Sequence, residues 1–340
     1  MSVKVFSGIN VNLIYKTMIK SILDDGIPVN PRGQGTLELP LSIIELSNPI
    51  DNIVTLPSRK INPIFMAAEF IWMFSGFDDL AMISYYNKNM SKYSDDGIIL
   101  RGAYGPRLRG WYSKDQLLLV LNKLQQDKFS RQAVIQIFDP ILDYVESKDI
   151  PCNNLLKFQI RDNKLNLSVF VRSQDVIYGF PYDIFHWTLL QELFANCLGV
   201  GVGTYYHIVD SLHLYERDKA IACNILCDQD VNTSLRPLLD KQMSSYTRFL
   251  TELDFLVKLD FNLRQDIGDV KSVFYRALSK NGDNGFCLFR DFERLLILQT
   301  LRKCRPFNYE NYKELVDNLS EPFKKMVERL WPLAKLKELV

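Results

Sequence analysis

The chain has 340 residues, 47% hydrophobic and 24% charged, with 41 Lys plus Arg against 40 Asp plus Glu for a net charge of +1. A chain of this length buries a large core, and its composition excludes a disordered, collagenous or fibrous protein. Near-neutral charge argues against tight binding to polymeric DNA or RNA, whereas a single mononucleotide needs only a local basic cluster.

Val11 to Leu23 carries apolar residues at helical spacing and runs into Asp24-Asp25-Gly26, which predicts a helix ended by glycine. The Gly- and Pro-rich segment from Pro28 to Thr36 reads as a loop around Arg32, and Leu37 to Leu46 as extended chain. Ile64 to Ser75 reads as a helix that is apolar except for Glu69 and closes on Gly76. Ser113 is expected to cap a helix reaching about Lys128, and Gln132 to Phe138 reads as a buried strand. Leu155 to Arg161 and Lys164 to Val171 alternate apolar and polar residues around Asp162-Asn163, the pattern of two antiparallel strands and a tight turn. Asp183 to Cys197 reads as a long buried helix ended by Gly199. From about Leu214 a helical pattern continues to the end, broken at Asp230 to Pro237, Asn281 to Phe286 and Pro306 to Tyr309. A sheet-plus-helix core followed by a helical C-terminal part is expected.

The six cysteines, Cys152, Cys197, Cys223, Cys227, Cys287 and Cys304, form no CxxC pair and read as reduced thiols. Met1 to Asn12 lacks a basic segment followed by an apolar run, and no stretch is suited to span a bilayer, so a cytoplasmic protein without membrane contact is expected. There is no HExxH, zinc-spaced cluster, P-loop or GxGxxG, which gives metal, ATP and dinucleotide chemistry little support.

Cys152 follows Pro151, whose fixed dihedral and missing N–H start its element at a stiffly held position. A thiol nucleophile needs nearby positive charge, and Arg172 in the following strands is the candidate; taken alone, such a cysteine packs as an inert apolar group. Arg32, Arg131 and Arg172 with Ser173 are separate places where a guanidinium or hydroxyl can meet a phosphate, the alternative being solvated surface arginines. Glu69 sits within Phe65-Met66-Ala67-Ala68-Glu69-Phe70-Ile71-Trp72 and must be exposed, paired or held in a cleft, where a perturbed carboxyl serves as general acid or base. His213 and Tyr215 alternate, so in a strand their polar tips share one face; they hold a sugar hydroxyl or are core residues satisfied by backbone groups.

In order along the chain, Arg32-Gly33-Gln34-Gly35-Thr36, Glu69 to Gly76, Arg101-Gly102-Ala103-Tyr104-Gly105, Ser130-Arg131, Pro151-Cys152, Arg172-Ser173-Gln174-Asp175, Gly179-Phe180-Pro181-Tyr182-Asp183 and His213-Leu214-Tyr215 resemble the thymidylate synthase family. The resemblance runs from about residue 10 to 220. It implies an α+β fold with a mixed or antiparallel sheet packed by helices over residues 1–225, and a helical extension, 226–340, packed on that core. It further implies that the Cys152 thiolate adds to C6 of a pyrimidine nucleoside monophosphate, making C5 nucleophilic toward the one-carbon unit of 5,10-methylenetetrahydrofolate, with no metal. Glu69 would manage protons through water and Tyr104 would help remove the C5 proton. Arg32, Arg172 and Ser173 would hold the 5′-phosphate, His213 and Tyr215 the sugar, and Asp175 would approach the folate. An arginine at the place of Arg131 reaches the neighbouring subunit's phosphate in this family, which implies a homodimer with shared sites.

Four departures modify that expectation. Where synthases place an asparagine, this chain has Asp183. A carboxylate only accepts hydrogen bonds, which suits the 4-amino group of cytosine and an N3 that gains a proton. Asn89-Met90-Ser91-Lys92-Tyr93-Ser94 replaces tryptophans that shield an exocyclic methylene intermediate, so water is expected to quench it to a hydroxymethyl group, as in the cytidylate hydroxymethylase branch acting on dCMP or CMP. Asn153 stands where a histidine commonly follows the nucleophile, which is expected to alter waters around C4. Beyond the last shared motif, about a hundred residues of helical pattern are expected to pack against the core or dimer. The alternatives are C5 methylation of dCMP or dUMP, and a non-catalytic regulator binding nucleotide or RNA.

Overall fold

The alternation around Asp162-Asn163 becomes a hairpin in the computed structural model, which describes residues 2–229, 239, 243–265, 287–303 and 308–332. The chain divides into two units, one of residues 1–61, 113–145 and 150–235, the other of 62–112, 146–149 and 236–340.

The first unit is built on a mixed sheet. Its strands are β1 (Lys4–Gly8), β2 (Ile27–Val29), β3 (Thr36–Leu46), β4 (Val134–Gln136), β5 (Asn153–Arg161), β6 (Lys164–Val171), β7 (Gln174–Asp175) and β8 (Gly201–Tyr215). The order is β1-β3-β8-β6-β5-β4, with β2 beside β3 and β7 beside β8. Asp162 and Asn163 both take positive φ, 49° and 55°, which gives the β5–β6 hairpin the turn twist its strands require.

The helix α1 (Val11–Asp25) buries Val11, Ile14, Tyr15, Met18, Ile19 and Ile22, one stripe at helical spacing, against β1 and β3. Asn10 caps it by accepting from the Leu13 amide, and Gly26 ends it because a Cβ there would sit 2.3 Å from the Ile22 carbonyl oxygen. In chain order the other helices up to residue 227 are α2 (Pro63–Phe74), α3 (Leu80–Tyr86), α4 (Tyr104–Arg109), α5 (Gln116–Gln126), α6 (Phe180–Leu198) and α7 (Lys219–Cys227). The helix α6 is buried nearly all round and ends at Gly199 with φ 65°.

Some expectations change. Asp115, not Ser113, caps α5, accepting from the Leu118 amide, while Ser113 lies at φ 52°. Only Val134–Gln136 of the expected buried strand pairs, because β4 is the sheet's edge with β5 as its one neighbour, and Val134 and Gln136 stay exposed. Leu214 closes a strand rather than opening a helix, since β8 runs unbroken from Gly201. Two glycines, Gly201 and Gly203, lie within it. At Gly203 a Cβ would lie 2.1 Å from Asn166 Oδ1, so the glycine serves close strand approach.

In the second unit Asn62 caps α2 by accepting from the Ile64 and Phe65 amides. That helix is apolar on almost every side because the helices Tyr246–Arg264 and Cys287–Lys303 cover it: the Phe70 ring lies 6.4, 6.2 and 5.5 Å from those of Phe249, Phe289 and Phe292. Tyr86 donates to Asp260 at 2.7 Å, and Arg264 pairs with the same carboxylate at 2.9 Å. Helices Tyr309–Asp317 and Glu321–Leu330 follow, so Tyr309 begins an element, capped by Asn308, rather than breaking one. The breaks expected at 230–237, 281–286 and 306–307 lie outside the described residues. No helix among the described residues is long and apolar enough to cross a membrane.

Candidate active site

Register brings Cys152, Arg172, Asp175, His213, Tyr215 and the Arg32 loop to one end of the sheet. The start of β5 pairs with the end of β6, Asn153 opposite Val171, so Cys152 and Arg172 become neighbours. The Arg172 amide donates to the Cys152 carbonyl at 2.9 Å. Its guanidinium donates to the carbonyls of Pro151 at 2.9 Å and Ile150 at 2.8 Å, and Nη2 reaches the Cys152 sulfur at 3.9 Å. One side chain thus fixes the segment carrying the thiol and places positive charge beside it, which favours the thiolate.

β7 lies along β8 with Asp175 opposite His213. Asp175 Oδ1 accepts from the amides of Ile177 at 2.7 Å and Tyr178 at 3.3 Å. Burial pushes the carboxyl above its ordinary range, while those amides and His213 oppose the shift. The end of β8 pairs with the start of β3, Tyr215 opposite Thr36, so the Arg32 loop joins the same end of the sheet. That loop is pinned there: Glu216 donates its amide to the Gly35 carbonyl at 3.0 Å, and Arg217 donates to Gln34 Oε1 at 2.7 Å. Arg32 itself is exposed at φ 51°. Ser173 is half-buried between β6 and β7, and the His213 and Tyr215 rings meet edge to face 5.2 Å apart.

Arg131 is not part of this gathering. β4 runs antiparallel to β5 with Val134 opposite Lys157, which carries Arg131 roughly 25 Å along the strands from Cys152. Glu69 and Tyr104 belong to the second unit. Glu69 is half-buried on α2, with Oε2 sealed from solvent. Tyr104 opens α4, followed by Gly105, where a Cβ would lie 2.5 Å from the Phe77 carbonyl oxygen.

Asp183, in the first turn of α6, accepts hydrogen bonds from the side chains of Gln174 and Asn153. Burial outweighs them and raises its carboxyl from 3.8 to about 7. Gln174 in turn is bonded through Oε1 to His207 Nε2 at 2.9 Å, and His207 Nδ1 to the Tyr205 hydroxyl at 2.8 Å. Gln174, His207 and Tyr205 are fully buried, and burial holds His207 neutral, with its pKa lowered to about 3. Sequence spacing gave no sign of this chain, because Gln174 and His207 are 33 positions apart and meet only across strands.

These two shifts act on stability in opposite directions. Asp183, raised, contributes stability that is full below pH 3.8 and lost as pH rises to about 7. His207, depressed, contributes stability that is full above 6.5 and lost as pH falls toward about 3. Asp183→Asn removes the first effect alone. It is expected to raise stability little near pH 4 and most above about pH 7, by at most about 4 kcal/mol, since part of the residue still faces water. Thermal melts across that range check this, and a gain independent of pH would contradict it.

Among the described residues no group of three or more His, Cys, Asp or Glu side chains forms a metal site. The thymidylate synthase family model matches residues 13–266, which spans both the Cys152 strand ends and the Glu69 helix. The chain is 39% identical over 226 residues to a deoxyuridylate hydroxymethyltransferase of Bacillus phage SP01, covering 63% of this chain and 59% of that protein. It is 34% identical over 184 residues to a deoxyuridylate hydroxymethyltransferase of Delftia phage PhiW-14, covering 50% and 51% of the two chains. It is also 36% identical over 124 residues to a putative thymidylate synthase of Methanosarcina barkeri, covering 36% and 57%. The chain therefore spans between half and three fifths of the length of these relatives. Because the family model covers well over half of the chain, the chain belongs to the thymidylate synthase family.

Proposed function

We propose that the chain is a folate-dependent C5 hydroxymethyltransferase of a pyrimidine nucleoside monophosphate, with cytidylate read by ionised Asp183. The observation carrying this reading is the junction of Cys152, held and polarised by Arg172, with Asp183 bonded to the adjacent Asn153. The Cys152 thiolate adds to C6, and the electron pair of the C5–C6 bond moves to C5. 5,10-Methylenetetrahydrofolate, when bound, supplies the one-carbon unit. Asp175 fits it, because two amides bond Oδ1 while Oδ2 accepts no bond among the described residues and is left to meet ring N–H groups. Loss of the C5 proton and departure of tetrahydrofolate leave an exocyclic methylene on C5; water adds its oxygen there, and the C6–S bond to Cys152 breaks as the C5–C6 double bond re-forms. The polar turn Lys88–Lys92 and Tyr93, 51% exposed, support this step by standing where synthases carry shielding tryptophans.

Glu69 and Tyr104 take the proton-handling roles the family resemblance implies. Arg32, Arg172 and Ser173 are assigned to the 5′-phosphate, and His213 with Tyr215 to the sugar. Arg131 is assigned to the phosphate of a second copy, in a homodimer with shared sites; its distance from Cys152 along its own sheet supports that.

A second reading, uridylate, is favoured by the names of the phage relatives and by the raised Asp183 carboxyl. As the neutral acid, Asp183 donates to O4 and accepts from N3–H, as an amide does. The two readings part on pH. Equimolar dCMP, CMP, dUMP and UMP with the folate, followed by mass spectrometry at about pH 6 and about pH 8, tests both. A hydroxymethyl cytidylate whose share grows with pH is expected. Uridylate product dominating at both values overturns the cytosine reading, and a methyl product overturns hydroxymethylation.

A further inference from the structure

We propose that the Tyr205 hydroxyl, acting through His207, fixes the Gln174 amide with its N–H toward Asp183, so that a directed chain of hydrogen bonds sets the state in which this carboxyl meets the base. The assignment of Asp183 to the base rests on the function proposed above. The direction of the chain does not.

The direction follows from donor counting. The Tyr205 hydroxyl keeps its proton, and its partner among the described residues is His207 Nδ1, at 2.8 Å. It therefore donates, and Nδ1 accepts. His207 is neutral and carries one N–H, which must then be on Nε2, donating to Gln174 Oε1 at 2.9 Å. With its oxygen engaged, Gln174 can offer Asp183 only its NH2 group. The reverse chain would leave the buried Tyr205 proton without an acceptor and would set the Gln174 oxygen against the Asp183 oxygens.

The backbone leaves room for this amide. A Cβ on Gly179 would lie 2.5 Å from Gln174 Nε2 and 3.1 Å from the Asp175 carbonyl oxygen, so the glycine before α6 admits the side chain. The Phe180 ring meets His207 edge to face at 5.7 Å and closes the opposite side. Asp183 therefore receives N–H groups from Gln174 on β7 and Asn153 on β5. The other ionisable groups on neighbouring elements are Cys152, Arg172, Asp175, Tyr205 on β8, Tyr15 on α1 and Arg59, the last lying over the Tyr178 and Tyr182 rings. Of these, Tyr205 feels the Asp183 charge, while burial and the two amides set the shift of Asp183. Tyr205→Phe removes the latch: His207 becomes able to carry its proton on Nδ1, Gln174 to turn, and Asp183 to hold its proton to higher pH.

The test uses the full chain. Nitrogen-15 spectra of histidine-labelled protein, with His207 assigned by its loss in His207→Gln, are expected to show the Nε2–H tautomer. Carbon-13 titration of Asp183 is expected to show a midpoint about one pH unit higher in Tyr205→Phe. An Nδ1–H tautomer in the unaltered protein overturns the chain's direction without any variant being needed. An unmoved Asp183 midpoint in a folded Tyr205→Phe protein overturns the coupling. If both hold but base preference ignores the Asp183 titration, the reading of Asp183 as base reader fails and the chain of bonds stands.

Discussion

Cys152→Ser is expected to lower product formation by about 10⁴-fold or more while changing nucleotide affinity only a few-fold. A serine hydroxyl stays protonated at neutral pH, and the charge of Arg172 cannot change that as it does for a thiol. The same arginine bonds the carbonyls of Ile150 and Pro151 rather than depending on sulfur, so the segment and the neighbouring phosphate candidates keep their places. Single-turnover rates and calorimetric affinity for the nucleotide separate the two effects. Mass spectrometry of the denatured mixture adds a third check, since the unaltered protein should carry a nucleotide adduct on Cys152. A serine variant retaining more than about a hundredth of the rate would remove covalent catalysis from the account.

What the sequence disclosed follows the range of the interactions. The α1 stripe and the β5–β6 hairpin depend on spacing within one element and on the turn residues Asp162 and Asn163, so they were legible in advance. The family motifs marked Cys152, Arg172, Asp175, His213 and Tyr215, and the register of β5 to β8 brings these to one end of the sheet. The errors share a cause. The helical pattern expected from about Leu214 overlapped the end of β8, whose course from Gly201 is set by pairing with β3 and β6. β4 looked buried because its apolar residues say nothing about being at an edge. The partners of Asp183 were invisible for a similar reason: Gln174 and His207 are 33 positions apart and meet only across strands. The identity of the acid could be read from sequence, but the bonds that tune it required register.

Asp183→Asn is expected to swing the cytidylate to uridylate product ratio by roughly 10³-fold toward uridylate near pH 8. The size follows from buried polar groups. An amide presents one donor and one acceptor, which match O4 and N3–H, whereas against cytosine it must turn over to pair with the 4-amino group and N3, and then has no acceptor for the proton that N3 gains in the reaction. Near pH 6 the swing should shrink, because native Asp183, raised to about 7, is then largely the neutral acid and already offers the same donor and acceptor. The amide does not titrate, so the variant's preference should be flat where that of the native protein bends. Product ratios from competing dCMP and dUMP, measured across this range for both proteins, check size and shape together. An equal swing at every pH would mean that charge on Asp183 is not what selects the base, and an unchanged ratio would mean that Asp183 does not meet the base. The buried bonds from Gln174 and Asn153 bear on the same outcome: by favouring the carboxylate against the cost of burial, they hold the bend near neutrality, where either base can be selected by a small change around one proton.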